Sequence, residues 1–264
     1  MSKFDRLSVY AVLLASGLAL FACRGRQTKD KYTDTATSGF ISISADESFR
    51  RIVQQEIDVF ESIYTMAGID PIYASEVDAI NLLLKDSVRL TVSTRRLTDA
   101  EKAGLEEKKF FPKEFKVASD AIALIVNRQN PDSIISLKDL SRILTGEVTE
   151  WSELYPGSKL GKLQLVFDNP NSSTVRYAID SICRGRPLAG SLHAQKSNAE
   201  VIDFVSQSPS AIGVIGVSWV GSESDSTNLS FSDRVTVMAV SREEKATEQN
   251  SYKPFQAYMA LGDY

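Results

Sequence analysis

The sequence predicts an α/β protein of two lobes with largely parallel sheets, and three observations carry the prediction. Short apolar, strand-like runs alternate with longer stretches of helical periodicity from Gly39 onward. A strand, a polar loop and a helix follow one another as a repeating unit. Such units are too numerous for one small sheet, so they divide between two.

Taken in order, residues 40–44 form a short strand, and residues 47–66 place Phe49, Ile52, Val53, Ile57, Phe60 and Ile63 on one helical face that ends near Gly68. Residues 71–74 are the next strand, and Ser75 caps a helix running to Lys85. Residues 88–92 are a strand, followed by the polar loop Ser93-Thr94-Arg95-Arg96. Thr98 and Glu101 then have the spacing of a capping box. Residues 121–127 (AIALIVN) are a nearly continuous apolar strand stopped at Asn130-Pro131; Ser136 caps the helix 137–145, which Gly146 ends. Residues 163–167 (LQLVF) are another buried strand, leading into the polar loop 168–174 and a helix through Tyr177, Ile179 and Ile182. A helix over 199–205, a glycine-containing strand over 211–217 and a late strand over 234–240 complete the pattern.

The composition is that of a globular chain: 264 residues, 43% hydrophobic and 24% charged. A formal net charge of −4 argues against a nucleic-acid binder, because phosphate backbones are gripped by clustered Lys and Arg. At the N-terminus, Lys3 and Arg6 precede an apolar run over 7–22 of about 16 residues, shorter than the roughly 20 of a bilayer span. This reads as an export signal, residues 1–22. Its end, Leu20-Phe21-Ala22-Cys23, resembles the lipobox of bacterial lipoproteins, which implies lipid attachment at Cys23. Residues 23–38 are polar and read as a flexible tether. The remaining cysteine, Cys183, follows Ile179 and Ile182 in a helical pattern and is expected in the core.

Catalytic signatures are missing from the pattern. A single histidine, His193, excludes a two-histidine metal helix, and residues 190–198 read as a surface loop. Residues 216–220 (GVSWV) put Val220 where a nucleophile elbow needs Gly. Residues 157–162 are too short between glycines for a phosphate-cradling P-loop. No catalytic residue, metal or cofactor is predicted. What remains is three Ser/Thr-bearing loops, each after a strand and before a helix: Asp46-Glu47-Ser48, Ser93-Thr94-Arg95 and Asn171-Ser172-Ser173-Thr174. Serines also populate ordinary turns and caps. Together, however, hydroxyls, backbone N–H groups and an arginine can replace the water shell of a tetrahedral oxyanion.

These loops and their flanking strands resemble the phosphate-binding (PstS-like) family of ABC-transporter receptors. The resemblance runs in order from about Phe40 and is most specific over residues 121–127, Asn130-Pro131, Leu137, Leu140, Ile143, Leu144, Gly146 and Trp151. Residues 93–98 resemble the family's Ser-Ser-Arg-x-Leu loop, residues 172–174 its Ser-Gly-Thr loop and residues 210–213 its Pro-x-Ala-Ile-Gly strand. The resemblance implies a two-lobed type II periplasmic-binding-protein fold with a ligand cleft between lobes: residues 39–120 in lobe 1, 121–220 in lobe 2, and 221–264 returning to lobe 1 but stopping before the family's last strand and helix. It further implies a monomeric, lipid-anchored extracytoplasmic receptor. Phosphate or a similar oxyanion would be held by Glu47, Ser48, Ser93, Thr94, Arg95, Ser172, Ser173 and Thr174 and delivered to ABC permease subunits. A two-lobed lipoprotein sensor or adaptor that binds another small ligand is the alternative. Asp168 stands where many phosphate-binding members carry Arg, and with Glu47 it brings two potential anions to an anion site.

Overall fold

The computed structural model describes residues 34–190, 192–221 and 230–264. The expected export signal, Cys23 and most of the expected tether lie outside the described residues. Among the described residues, no helix is long and apolar enough to cross a membrane.

The first lobe is built on three parallel strands, β1 (Ser38–Asp46), β2 (Met66–Ala74) and β3 (Leu90–Val92), in the order β2-β1-β3. A 3₁₀ turn (Glu47–Phe49) leads from β1 into helix α1 (Arg50–Ile63). Helix α2 (Glu76–Leu84) connects β2 to β3, and helix α3 (Asp99–Glu107) follows β3. The expected capping residues are in place: Ser75 Oγ accepts from the Asp78 N–H, and Thr98 and Glu101 form a complete capping box. The sequence reading carried the first helix to residue 66, but the chain leaves the helix at Tyr64 and enters β2 at once. A nine-residue parallel register with β1, from Ser38↔Met66 to Asp46↔Ala74, outweighs local periodicity there. Pro71 is tolerated in β2 because that strand lies at the sheet edge.

The second lobe holds a five-stranded mixed sheet in the order β7-β6-β8-β4-β9, made of β4 (Ile122–Val126), β6 (Gln164–Phe167), β7 (His193–Ala194), β8 (Ala211–Gly216) and β9 (Thr236–Val237). A separate parallel pair joins β5 (Ile134–Ser136) to β10 (Ala239–Ser241). Its helices are α4 (Leu137–Leu144), α5 (Ser173–Tyr177), which runs on into a π-helical turn (Ala178–Ile182), and α6 (Asn198–Gln207).

Both faces of the larger sheet are covered, which is why β4 and β8 read as continuous apolar runs. Leu124, Val126, Phe167, Ile212 and Val214 meet α4 and Trp151 on one face. Ala123, Ile125, Val166 and Ile215 meet α6 through Val201, Ile202 and Val205 on the other. Gly213 is required at that contact: a Cβ there would lie 2.8 Å from both Ile125 Cγ1 and Val201 Cγ1. Cys183 is buried in the first of these layers, as its apolar spacing predicts.

The described part of 221–264 differs from the expected return to lobe 1. The late strand is split: β9 extends the free edge of β4, whereas β10 pairs with β5. A last helix, α7 (Gln256–Leu261), precedes Tyr264, whose hydroxyl donates to the Ile122 carbonyl (2.8 Å) and whose ring packs on the second-lobe core. Edge pairing and this partly buried phenol hold the segment on the second lobe.

Candidate functional site

Strands β1, β2 and β3 end toward strands β6 and β8 of the other lobe, so the loops at the carboxyl ends of both sheets face each other. In open α/β sheets that is where ligands collect. The lobes touch there through polar groups. The Ser48 carbonyl accepts from Ser218 Oγ and Trp219 Nε1, both at 3.0 Å. Gly216 permits this approach, since a Cβ on it would press against the Ser48 carbonyl at 3.3 Å. The Arg51 guanidinium lies 4.8 Å from the centroid of the Trp219 ring.

The first loop turns on Asp46, which is fully buried and accepts from the Ser48 N–H at 3.0 Å. Ser48 is 2% exposed, and its Oγ and Asp46 Oδ2 are buried without a hydrogen-bond partner. Glu47 Oε2 accepts from both the backbone N–H (3.3 Å) and the side-chain amide (2.5 Å) of Asn198, at the start of α6 in the opposite lobe. The same amide donates to Asp168 Oδ2 (3.2 Å), and Asn198 Oδ1 accepts from the Gly216 N–H (3.0 Å). Asn198 therefore ties the first loop to the ends of β6 and β8.

In the third loop, Ser172 caps α5 by accepting from the Val175 N–H, and its hydroxyl shares a hydrogen bond with Thr174 (2.8 Å). Thr174 Oγ1 donates to Asp168 Oδ1 (2.6 Å), and Ser173 lies buried beside Asp46. The middle loop divides. Ser93 Oγ donates to the Arg95 carbonyl within its own turn. Thr94 turns to Glu76, which accepts from the Thr94 N–H (3.0 Å) and from its hydroxyl. Arg95 makes a bidentate pair with Glu101, both contacts at 2.8 Å, and also donates to the Arg96 carbonyl. Its guanidinium is thus committed to the start of α3. The structure brings Glu47, Ser48, Thr94, Ser172, Ser173 and Thr174 to the interlobe gap, whereas Ser93 and Arg95 make local contacts.

The gap is acidic. Burial pushes Asp46, Glu47 and Asp168 above the ordinary carboxylate range, and neighbouring carboxylates add to the effect at Asp46 and Glu47. Glu76, only 1% exposed, behaves oppositely: desolvation is overcome by hydrogen bonds from Arg176 and Thr94, which hold it below its usual value. A pocket of about 280 Å³ opens beside these groups, lined from both lobes by Glu47, Arg50, Ser75, Asp168, Lys196 and Ser197. Among the described residues no cluster of His, Cys, Asp and Glu could hold a metal ion.

Asn198 and Glu76 are the groups that sequence reasoning missed; Asp46 was placed in the first loop but not among the ligand contacts. Asn198 had a legible signal, because Ser197 and Glu200 have N-cap spacing and the cap is present: the Glu200 N–H donates to Ser197 Oγ. Residues 190–198 were expected to form a surface loop, and His193 is indeed exposed; it sits in β7 with its ring stacked on Phe204 at 6.0 Å.

Known proteins resemble this chain in sequence and fold. The phosphate-binding protein PstS of Pseudomonas aeruginosa is 24% identical over 199 residues, 70% of this chain and 61% of that protein, so the chain spans less than two thirds of that relative's length. PstS of Bacillus subtilis is 24% identical over 270 residues, covering 97% of this chain and 79% of that protein. Among solved structures, one with bound phosphate from Clostridium perfringens, assigned as a phosphate ABC transporter substrate-binding protein, superposes with a TM-score of 0.65 at 21% identity, covering 85% of this chain and 92% of its own. An ABC-type phosphate transport receptor from Vibrio cholerae superposes with a TM-score of 0.58 at 20% identity, covering 86% and 83%. A family model described as the PBP superfamily domain matches residues 30–264, and with two sheets that face each other at their carboxyl ends across a polar cleft, the chain belongs to that superfamily, in the type II, PstS-like arrangement.

Proposed function

We propose that the protein is an extracytoplasmic solute-binding receptor that captures phosphate or a similar oxyanion between its lobes for an ABC importer. One observation carries the reading: hydroxyl-bearing loops from both lobes converge on one gap, with Ser48 Oγ buried there and unpartnered. A buried hydroxyl without a partner costs about 1–3 kcal/mol, which an oxyanion would recover. Residues 39–120 and 121–220 act as the two jaws. Glu47, Ser48, Thr94, Ser172, Ser173 and Thr174 are the candidate contacts, while Ser93 and Arg95, held by local partners, shape the middle loop without touching the ligand. The relatives are named as binding proteins, and binding without chemistry suits a site that pairs hydroxyls with carboxylates but presents no nucleophile and base. Attachment through Cys23 would hold the monomeric receptor beside its permease.

Calorimetric titration with phosphate, sulfate and molybdate tests the reading. Phosphate is expected to bind at micromolar concentration and sulfate more weakly, because any cleft carboxylate left ionised accepts a hydrogen bond from hydrogen phosphate and repels an ion that has no proton to share. Absence of any heat with millimolar phosphate, in protein that melts cooperatively, rejects it. Recovery of permease subunits on the immobilised receptor tests the partner.

A further inference from the structure

The donors expected to meet a ligand are, in this structure, already gathered around one of the protein's own carboxylates. Glu76 stands in the first turn of α2 in the first lobe, at 1% exposure. It accepts from the backbone N–H and the hydroxyl of Thr94, from Arg176 Nε at 2.6 Å and from Arg176 Nη2 at 3.3 Å. Arg176 belongs to the second lobe, one hundred residues away, and its Nη2 also donates to Thr94 Oγ1 at 2.5 Å. One backbone N–H, one hydroxyl and a two-pronged guanidinium make the donor set that a tetrahedral oxyanion needs. The carboxylate fills it and spans the lobes in doing so.

We propose that Glu76 is an internal oxyanion mimic: its carboxylate holds the lobes together through Arg176 and Thr94 in the absence of ligand, and an incoming phosphate-type anion displaces it from Arg176. The proposal rests on the oxyanion reading given above. Displacement is feasible on three grounds. Arg176 keeps 35% of its side chain exposed, so a small anion reaches the guanidinium without unfolding α5. Its other carboxylate partner, Asp180, stands back at 3.6 Å and is well exposed, so it competes weakly. A buried ion pair contributes little net stability once desolvation is counted, so exchanging one anion for another on the same cation is close to balanced. Removing either partner alone is not balanced, and the two removals differ in what they leave. Loss of the glutamate charge leaves a vacant donor set; loss of the arginine leaves a buried carboxylate without a cation. Arg176, and not Arg95, then supplies the positive charge of the site.

The test compares the full-length wild-type chain with E76Q and R176Q in two measurements. Calorimetry with inorganic phosphate reads affinity. Electron–electron distance measurement reads lobe separation without ligand, with spin labels on Q55C in the first lobe and K159C in the second, both exposed positions. Phosphate is expected to bind E76Q at least tenfold more tightly than wild type and R176Q at least tenfold more weakly, while both variants shift to longer distances without phosphate. Equal or weaker binding by E76Q, alongside measurable wild-type binding, overturns the mimic and leaves the oxyanion reading standing. Silence toward phosphate in both wild type and E76Q overturns both. An unchanged distance distribution in E76Q also overturns the mimic, whatever the affinities. If E76Q melts far below wild type, E76D serves in its place: its shorter carboxylate cannot hold Thr94 and Arg176 together, and the same signs are expected.

Discussion

Replacing Asn198 by alanine should be strongly destabilising, because the residue is fully buried and serves three partners in both lobes. Its amide donates to two carboxylates, Glu47 and Asp168, and its carbonyl oxygen accepts from the Gly216 N–H. Hydrogen bonds to charged groups contribute about 1.5–3 kcal/mol each, and a stranded buried N–H costs about 1–3 kcal/mol. Water entering the vacated volume recovers part of this, so we expect a loss of about 4 kcal/mol. For a chain of this length each kcal/mol moves Tm by about 2–4 °C, giving a fall of roughly 10 °C. Thermal unfolding followed by near-ultraviolet circular dichroism at pH 7 and pH 5 is the assay. Without the Asn198 donors, Glu47 and Asp168 are pushed further above the usual carboxylate range than burial already pushes them. The native variant therefore takes up protons that the unfolded chain does not hold, and its deficit shrinks as pH falls from 7 to 5. A fall in Tm below about 3 °C, or a deficit that grows on acidification, would refute the bridging role.

Ser48→Ala should leave Tm unchanged or slightly raised, because the Oγ it removes has no partner, yet weaken phosphate binding about tenfold, the worth of one hydrogen bond to an ion; unchanged affinity would take Ser48 out of the ligand's reach. Arg95→Ala should cost at most about 1 kcal/mol, since its pair with Glu101 is partly exposed, and should leave phosphate affinity within twofold. Hydrogen bonds from Arg95 hold the Glu101 pKa down to about 2, so the stability this pair gives is present above the normal value of 4.5 and lost as pH falls toward 2; urea unfolding across that window should show a flatter acid limb in the variant. Gly213→Val should destabilise by about 1–3 kcal/mol, because its Cβ alone meets Ile125 and Val201 at 2.8 Å, and a variant that melts with wild type would show that this contact yields freely. Phosphate binding near pH 7 should take up protons, because an anion placed beside Asp46, Glu47 and Asp168 raises carboxylates that burial has already raised; calorimetry in two buffers of different ionisation enthalpy reads the uptake, and a value of zero counts against ligand contact with these groups.

Legibility in the sequence followed the range of the interactions. Caps are local, so Ser75, Thr98 and Ser136 could be placed from spacing alone, and each accepts the hydrogen bond expected of it. The buried strands at 122–126 and 211–216 were legible because both faces of their sheet are covered and no polar alternation interrupts them. Pairing between distant segments was not legible. The extension of β2 back to Met66, and the split of the late strand between β4 and β5, depend on partners far away in the chain. At the site, hydroxyl loops announced themselves by composition, but their partners did not. Glu76 reads as an ordinary first-turn acid on a capped helix, and nothing local reveals an arginine one hundred residues away. Arg95 misled for the converse reason: its position in a loop motif says nothing about Glu101, which the capping box brings within 2.8 Å.

The carboxylates of the cleft follow a common logic. Each donor-bearing loop has one: Asp46 for the Ser48 N–H, Glu76 for Thr94 and Asp168 for Thr174. Donors arranged for a ligand are a liability without it, because a buried N–H or hydroxyl left unpaired costs about 1–3 kcal/mol. An internal carboxylate satisfies those donors but must itself be desolvated, and the two costs trade against each other. Where a guanidinium stands beside the carboxylate, as at Glu76, the charge is stabilised and its pKa is lowered. Where no guanidinium stands beside it, as at Asp46 and Asp168, burial makes protonation the cheaper way to neutralise it and the pKa rises. The cleft can thus adjust its charge by two routes, releasing Arg176 from Glu76 or taking up protons at Asp46, Asp168 and the neighbouring Glu47. Both routes move it toward accepting an anion, and a site whose formal charge is negative is for that reason compatible with an oxyanion ligand.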